Sequence, residues 1–198
     1  MPNIKNLHYF GKLRRRREFI RSTLSSQNYY YDWEVWFNKC SQNNSLLPFL
    51  NRNNKSKPIW FFMIVDQEVV KVGFTALSSD LSERKYPFLL YFENDVVMLN
   101  DYDKTFNETL KVADNYQNFS KIIAGGEMLN HEDFCLKKST KDFETVPTLQ
   151  QLLDKVVTEI VENKNHVAMS SYWINLDNFF SIHHQGPLTC TLYNKIYG

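Results

Sequence analysis

Between Lys57 and Glu93 the chain carries three apolar, β-prone runs with almost nothing separating the first two. They read K-P-I-W-F-F-M-I-V, then D-Q, then E-V-V-K-V-G-F-T-A, and after a polar stretch F-L-L-Y-F-E. Runs of this length, rich in Val, Ile, Phe and Tyr, read as strands. Asp66-Gln67 leaves room only for a tight turn, so Ile59–Val65 and Glu68–Ala76 are expected to pair as a hairpin. A hairpin pairs antiparallel, which excludes the all-parallel sheet of doubly wound folds. Pro87–Phe92 reads as a third strand, with proline at its first residue, where a missing N–H is tolerated. The polar stretch before it holds Ser78, Asp80 and Arg84 and closes on Tyr86-Pro87.

Helical periods bracket these strands. Trp33, Trp36, Phe37 and Cys40 follow the three-four spacing of one helix face within a segment that starts near Tyr30. Ser25-Ser26 can cap it. Asp103–Phe119 reads as one helix with a narrow stripe of Phe106, Leu110 and Ala113. Pro147–Lys164 has the clearest period, with Leu149, Leu152, Leu153, Val156, Val157, Ile160 and Val161 at three-four spacing and Thr145 as its cap. Shorter signals fill the gaps. Leu7–Leu13 suggests a short strand with His8 and Phe10 facing one way. Glu18–Leu24 suggests a loop or helical turn, and Leu46–Leu50 a further turn. Val96–Leu99 suggests an edge strand or extended loop. Lys121–Asp142 has no clear period, with a turn at Gly125-Gly126. Val167–Ile174 reads as a late strand, and Leu188, Leu192 and Ile196 suggest a closing helix. The expected architecture is α/β, a single layered domain with a central antiparallel or mixed sheet flanked by helices.

Composition narrows the function classes. Hydrophobic residues make up 43% and aromatics 15%, enough for a sizeable core, so disorder is not expected as the overall state. The formal net charge of +1 argues against nucleic acid as partner. The exception is Arg14, Arg15, Arg16 and Arg17, with Lys12 before and Arg21 after. Such a run is either a solvated basic turn or a contact patch for an acidic or phosphorylated partner, since guanidinium forks pair bidentately with such groups. Cys40, Cys135 and Cys190 form no CxxC pair, and free thiols fit a reducing compartment. No signal peptide is visible, and the longest apolar run, Ile59–Val65, is too short for membrane insertion. A cytoplasmic protein is expected.

The search for chemistry turns up little. His183-His184 are adjacent rather than spaced as ligands, and His131-Glu132 lacks a second His, so neither a metal nor another cofactor is expected. Ser78 with Asp80 could be a nucleophile and partner, but the pair lacks the His or Lys base that such catalysis needs. The plainer reading is structural: Ser and Asp satisfy nearby backbone N–H groups, and Asp80 pairs with Arg84 across the loop. Trp36, Trp60 and Trp173 read as core residues, or as partner anchors if exposed at a rim.

Taken in order, these motifs resemble the TagF-type family, also called ImpM, of accessory proteins of bacterial type VI secretion. Members begin with Gly-Lys-Leu, usually followed by Pro-Ser-Arg-Gly-Asp-Phe. Here Gly11, Lys12, Leu13, Arg16 and Phe19 fit that pattern, Glu18 replaces Asp, and arginine replaces the Pro and the second Gly. A W-[DE]-x-W-like segment is seen around Trp33 to Trp36, and a Pro-Ile-Trp strand at Pro58 to Trp60. Gly73, Ser78, Asp80, Arg84, Tyr86 and Pro87 match the strand that leads to Ser-x-Asp, an Arg and an aromatic-Pro pair. Ser171-Tyr172-Trp173 and Gly186-Pro187 resemble the late strand and turn. The resemblance implies a single TagF-like domain over residues 1–198 and no catalytic activity. It also implies a post-translational negative regulator of secretion-system assembly acting through protein contacts, in some members with a forkhead-associated scaffold protein. Some relatives are fused to a phosphatase domain, for which this chain has no room. The alternative is a small hydrolase or transferase using the Ser78-Asp80-Arg84 loop, with His8, His166, His183 or His184 as its base.

Overall fold

The computed structural model describes residues 7–22, 28–42, 58–66, 69–82, 85–128, 147–163 and 169–198. The central hairpin forms as the two-residue gap requires. β3 (Trp60–Asp66) pairs with β4 (Val69–Ser79) from Trp60↔Thr75 to Val65↔Val70. Asp66 Oδ1 accepts from the Val69 N–H at 3.1 Å, which closes the turn. β5 (Lys85–Asp95) returns along β4, and β1 (Leu7–Gly11) lies on its far side. β2 (Ile20–Arg21) extends that edge, while β6 (Met169–Asn175) and β7 (Ser181–Gln185) extend the other. The sheet has seven strands in the order β2-β1-β5-β4-β3-β6-β7, every pair antiparallel. It is an open sheet with helices, so the α/β expectation holds and the sheet is antiparallel rather than mixed.

Strand alternation builds a core on each side of the sheet. Along β3, Phe61, Met63 and Val65 enter one cluster while Trp60, Phe62 and Ile64 enter the other. The first face is covered by α2 (Tyr102–Ala113), α3 (Tyr116–Gly125) and α4 (Pro147–Asn163). The second is covered by α1 (Asn28–Gln42) and α5 (Cys190–Tyr197). The predicted face of α1 is buried as spaced, with Trp33, Trp36, Phe37 and Cys40 all in that second core. Trp33 packs against Phe62 and Tyr91 at ring distances of 5.7 and 6.0 Å. Those two residues flank Gly73 in register on β3 and β5, so the indole covers the strand position that has no side chain.

Several local expectations are corrected. Asp103–Phe119 is two helices, because Asn115 Nδ2 donates to the Lys111 carbonyl and draws the chain out of register. Val96–Asn100 is a 3-10 helix rather than a strand, started by Asp95 Oδ1 accepting from the Val97 N–H. β5 begins at Lys85, so Pro87 is its third residue. It is tolerated there because β1 pairs only from Phe88 onward. Ile20–Arg21 is a short strand, not a turn. The expectations for Ser25-Ser26, Leu46–Leu50 and the Thr145 cap lie outside the described residues.

The free-thiol reading is also corrected. Cys40 and Cys190 form a disulfide across 150 residues, tying α1 to α5. The thiol count therefore no longer argues for a reducing compartment. Cys135 lies outside the described residues. Among the described residues, no helix is long and apolar enough to cross a membrane.

Candidate functional site

β1 leaves the sheet at Gly11, where φ is +137° and a Cβ would lie 2.2 Å from the Pro87 carbonyl oxygen. Only glycine lets the strands approach this closely where Tyr86-Pro87 enters β5. The next residue turns inward. Lys12 Nζ donates to Asp80 Oδ2 at 3.1 Å, joining two motifs 68 residues apart. The Lys12 side chain is 10% exposed and that of Asp80 0%. Asp80 Oδ1 accepts from the Ser82 N–H at 2.8 Å, an Asx turn that reverses the chain after β4. One carboxylate thus fixes both the basic N-terminal loop and the loop that follows the hairpin. The ion pair of Asp80 shown by the described residues is with Lys12; Arg84, its expected partner, lies outside them.

An aromatic cluster seats this pair. Lys12 Nζ lies 4.8 Å from the Phe19 ring centre, a cation–π distance. Phe19 stacks on Phe10 at 5.6 Å and meets Tyr86 edge-on at 4.6 Å, yet stays 40% exposed. The Tyr86 hydroxyl donates to Asn38 Oδ1 at 3.2 Å. Burial first, and then the negative charge of Glu34, push its phenol above the ordinary 10.0, so it stays a donor.

Arg14, Arg15, Arg16 and Arg17 are all exposed, on a loop that the backbone holds in place. The Arg16 N–H donates to the Leu13 carbonyl at 3.0 Å and the Arg15 N–H to the Gly126 carbonyl at 3.2 Å. Gly126 ends α3 in the left-handed region, and a Cβ there would come within 2.7 Å of Arg14 Cβ. Arg15 also meets Glu127 at 3.0 Å, an exposed pair of little energetic weight. Arg14, Arg16 and Arg17 make no ion pair among the described residues. Three guanidinium groups are thus presented beside an exposed phenylalanine on a pinned loop.

The residues named for catalysis are not assembled. Ser78 is buried opposite Tyr86, and its hydroxyl makes no hydrogen bond among the described residues. His8 is registered through Tyr91 with Gly73, which lies roughly 16 Å along β4 from Ser78 at strand spacing. His8 stacks on Tyr91 at 5.2 Å, and burial followed by the charge of Lys71 holds its pKa below the ordinary 6.5. His183 bonds Glu159 at 3.1 Å and His184 bonds the Pro187 carbonyl at 2.8 Å. His166 lies outside the described residues, and Lys12 is committed to Asp80. Trp36, Trp60 and Trp173 are 5, 3 and 0% exposed and pack in the second core. Trp36 Nε1 donates to the Thr189 carbonyl and Trp173 Nε1 to Ser171 Oγ, each at 3.0 Å.

Sequence reasoning missed the Lys12–Asp80 pair and the exposure of Phe19. The one local signal was a lysine set between glycine and leucine at a strand exit, where a solvated side chain would be the simpler expectation.

The fold is an open layered α/β domain with an exposed basic loop at one sheet edge. The same fold is seen in the crystal structure of PA0076 from Pseudomonas aeruginosa PAO1 at 2.05 Å resolution, with a TM-score of 0.52 and 16% identity. That likeness covers 96% of this chain and 93% of that one. No protein of curated function matches the chain. The family model of the TagF N-terminal domain, type VI secretion system-associated, matches residues 8–123, from β1 into α3. The chain belongs to this TagF N-terminal domain family.

Proposed function

We propose that residues 1–198 form one unit that acts in the cytoplasm as a non-enzymatic, post-translational negative regulator of type VI secretion system assembly. It works by contact with a protein component of that system, and a forkhead-associated scaffold protein is the first partner to test. The observation that carries this reading is the pinned basic loop. Its exposed guanidinium groups, those of Arg14, Arg16 and Arg17 without an ion pair among the described residues, suit an acidic or phosphorylated surface, and the exposed Phe19 adds an apolar contact on the same loop. Lys12 and Asp80 act as positioning residues that fix where the loop sits.

Replacing Arg14, Arg16 and Arg17 with Glu tests this reading. These positions are exposed, so the fold should survive, which a thermal melt checks. The expected result is loss of capture of the secretion-system component in host pull-downs, together with loss of repression when the chain is overexpressed. Undiminished capture and repression by the folded variant would remove the loop as the working surface.

A further inference from the structure

The two edges of the sheet are finished differently. β2 is two residues long and carries Arg21, a short and charged edge of the kind that discourages further pairing. β7 closes the other side with Ser181–Gln185. It pairs with β6 from Ile174↔Ser181 to Ser170↔Gln185 without a bulge, and its sequence, Ser-Ile-His-His-Gln, contains no Lys, Arg, Asp, Glu or Pro. The devices that usually blunt a sheet edge, a charge, a proline or a bulge, are missing from this strand.

Hydrogen bonds at the two ends of β7 fix which backbone groups it spends on β6. The Asn175 N–H donates to the Phe180 carbonyl at 2.8 Å, and the Gly186 N–H donates to the Met169 carbonyl at 2.9 Å. Hydrogen-bonded pairs alternate along an antiparallel ladder, so Ile182 and His184 also turn their backbone groups to β6. The N–H and C=O groups of Ser181, His183 and Gln185 therefore point away from the sheet, and they have no partner among the described residues. All three residues are exposed.

The strand is also complementary to itself. Two copies of β7 laid antiparallel about His183 set each outward position against another: His183 meets the second copy's His183, and Ser181 meets the second copy's Gln185. Each such pair exchanges both N–H···O bonds. The two His183 side chains each keep their bond to Glu159 of their own chain. The alternate positions form the closer, non-hydrogen-bonded pairs, Ile182 with the second copy's His184 and Phe180 with the second copy's Gly186. Gly186 has nothing within 4 Å of the place a Cβ would take, which leaves room for an aromatic ring. Phe180 is held ready for that room at a conformational cost. Phe179 adopts φ +57°, in the left-handed region that non-glycine residues avoid, and packs against the first core. The Phe179 N–H donates to the Asn175 carbonyl at 2.8 Å and the Phe180 N–H to Asn178 Oδ1 at 3.0 Å, which fixes the turn. Phe180 is thereby left 58% exposed at the end of the edge.

We propose that β7 is a self-association edge, to which a second copy of this chain adds its own β7 antiparallel about His183. The product is a twofold-symmetric dimer with one sheet running through both copies. A second copy is the occupant the strand fits: no side chain of β7 carries a fixed charge that would meet its like across the axis, and the exposed Phe180 meets a glycine. The basic loop lies at the other edge of the sheet, so this pairing leaves it open. The inference goes beyond the regulator reading and does not depend on it.

Sedimentation velocity of residues 1–198 over a range of concentrations reads the association, and the average mass should rise from one copy towards two. Gln185→Pro removes an outward N–H and leaves the bonds to β6 intact. The twofold axis makes that loss count twice, so association should weaken at least roughly tenfold. Phe180→Ser should weaken it by a similar factor, and thermal melts check that both variants fold. The register is read by cysteine pairing in a Cys135→Ser background. His183→Cys should cross-link two copies under oxidising conditions, because the two sites face each other. Ser181→Cys should not, because at strand spacing its two sites lie roughly 13 Å apart, beyond the limit of about 7 Å for a disulfide. A single copy at every concentration overturns the proposal and leaves the edge to a strand of another protein. Association that survives both substitutions, or cross-linking at Ser181 as readily as at His183, overturns it equally.

Discussion

Lys12 shows how much a single side chain can hold in this molecule. A buried ion pair is weak evidence of net stability, since dehydrating both charges offsets their attraction, but removing one partner takes away the attraction that offset the burial of the other. Asp80 has no exposed side-chain surface with which to recover hydration. Lys12→Met should therefore cost about 3–5 kcal/mol of unfolding free energy. Adding Asp80→Asn, which keeps the acceptor for the Ser82 N–H, should return a large part of that loss. Urea unfolding of the single and double variants reads the cycle. Additive losses would show that the two groups do not interact. At this scale the motif residues were legible as a set, because Gly-Lys-Leu and Ser-x-Asp stand out locally. Their pairing was not, because nothing in either stretch encodes a partner 68 residues away.

At the scale of elements, α1 and α5 depend on each other. Each lays aromatic residues on the same side of the sheet: Trp36 meets Tyr193 and Tyr197, and Phe37 meets the same pair. Trp36 also bonds the Thr189 carbonyl where α5 begins, and Thr189 Oγ1 caps that helix by accepting from the Leu192 N–H. The Cys40–Cys190 bond closes a loop of 150 residues, for which chain entropy alone gives up to about 5 kcal/mol. Cys190→Ser should lower unfolding stability by several kcal/mol, and dithiothreitol should bring the parent protein down to the same level while leaving the variant unchanged. A parent melt indifferent to dithiothreitol would refute this. The helices with long apolar periods and the central hairpin were readable from sequence, because periodicity is what burial on one face leaves behind. β7 was not, because an edge strand that buries only Ile182 among its five residues leaves no alternation to see.

At the scale of the whole molecule, the region matched by the TagF N-terminal family model does not complete the sheet. It ends in α3, while β3, buried from Trp60 to Val65, takes its second neighbour from β6. Trp173 on β6 packs 5.1 Å from Phe62 and 6.1 Å from Trp36, so losing it opens the second core. A chain cut after residue 128 should bind the dye ANS and self-associate, with a collapsed NMR spectrum, whereas residues 1–198 should not. A fragment with dispersed signals and one cooperative unfolding transition would contradict this. The sequence revealed strands early and a strand late, but not that the late one seals the early ones. Strand order is set by which edges remain open after the hairpins form, and no local pattern records it.

The same strand order has a consequence for the chain as it is made. The strands β3, β4 and β5 follow one another and can pair as soon as they emerge, yet the far edge of β3 has to wait for β6. Roughly a hundred residues lie between them, and at about 5–20 residues per second that amounts to some 5–20 seconds of synthesis. For that interval an apolar strand presents unpaired backbone to the crowded neighbourhood of the ribosome. The yield of folded protein should accordingly depend on what shields that edge during translation.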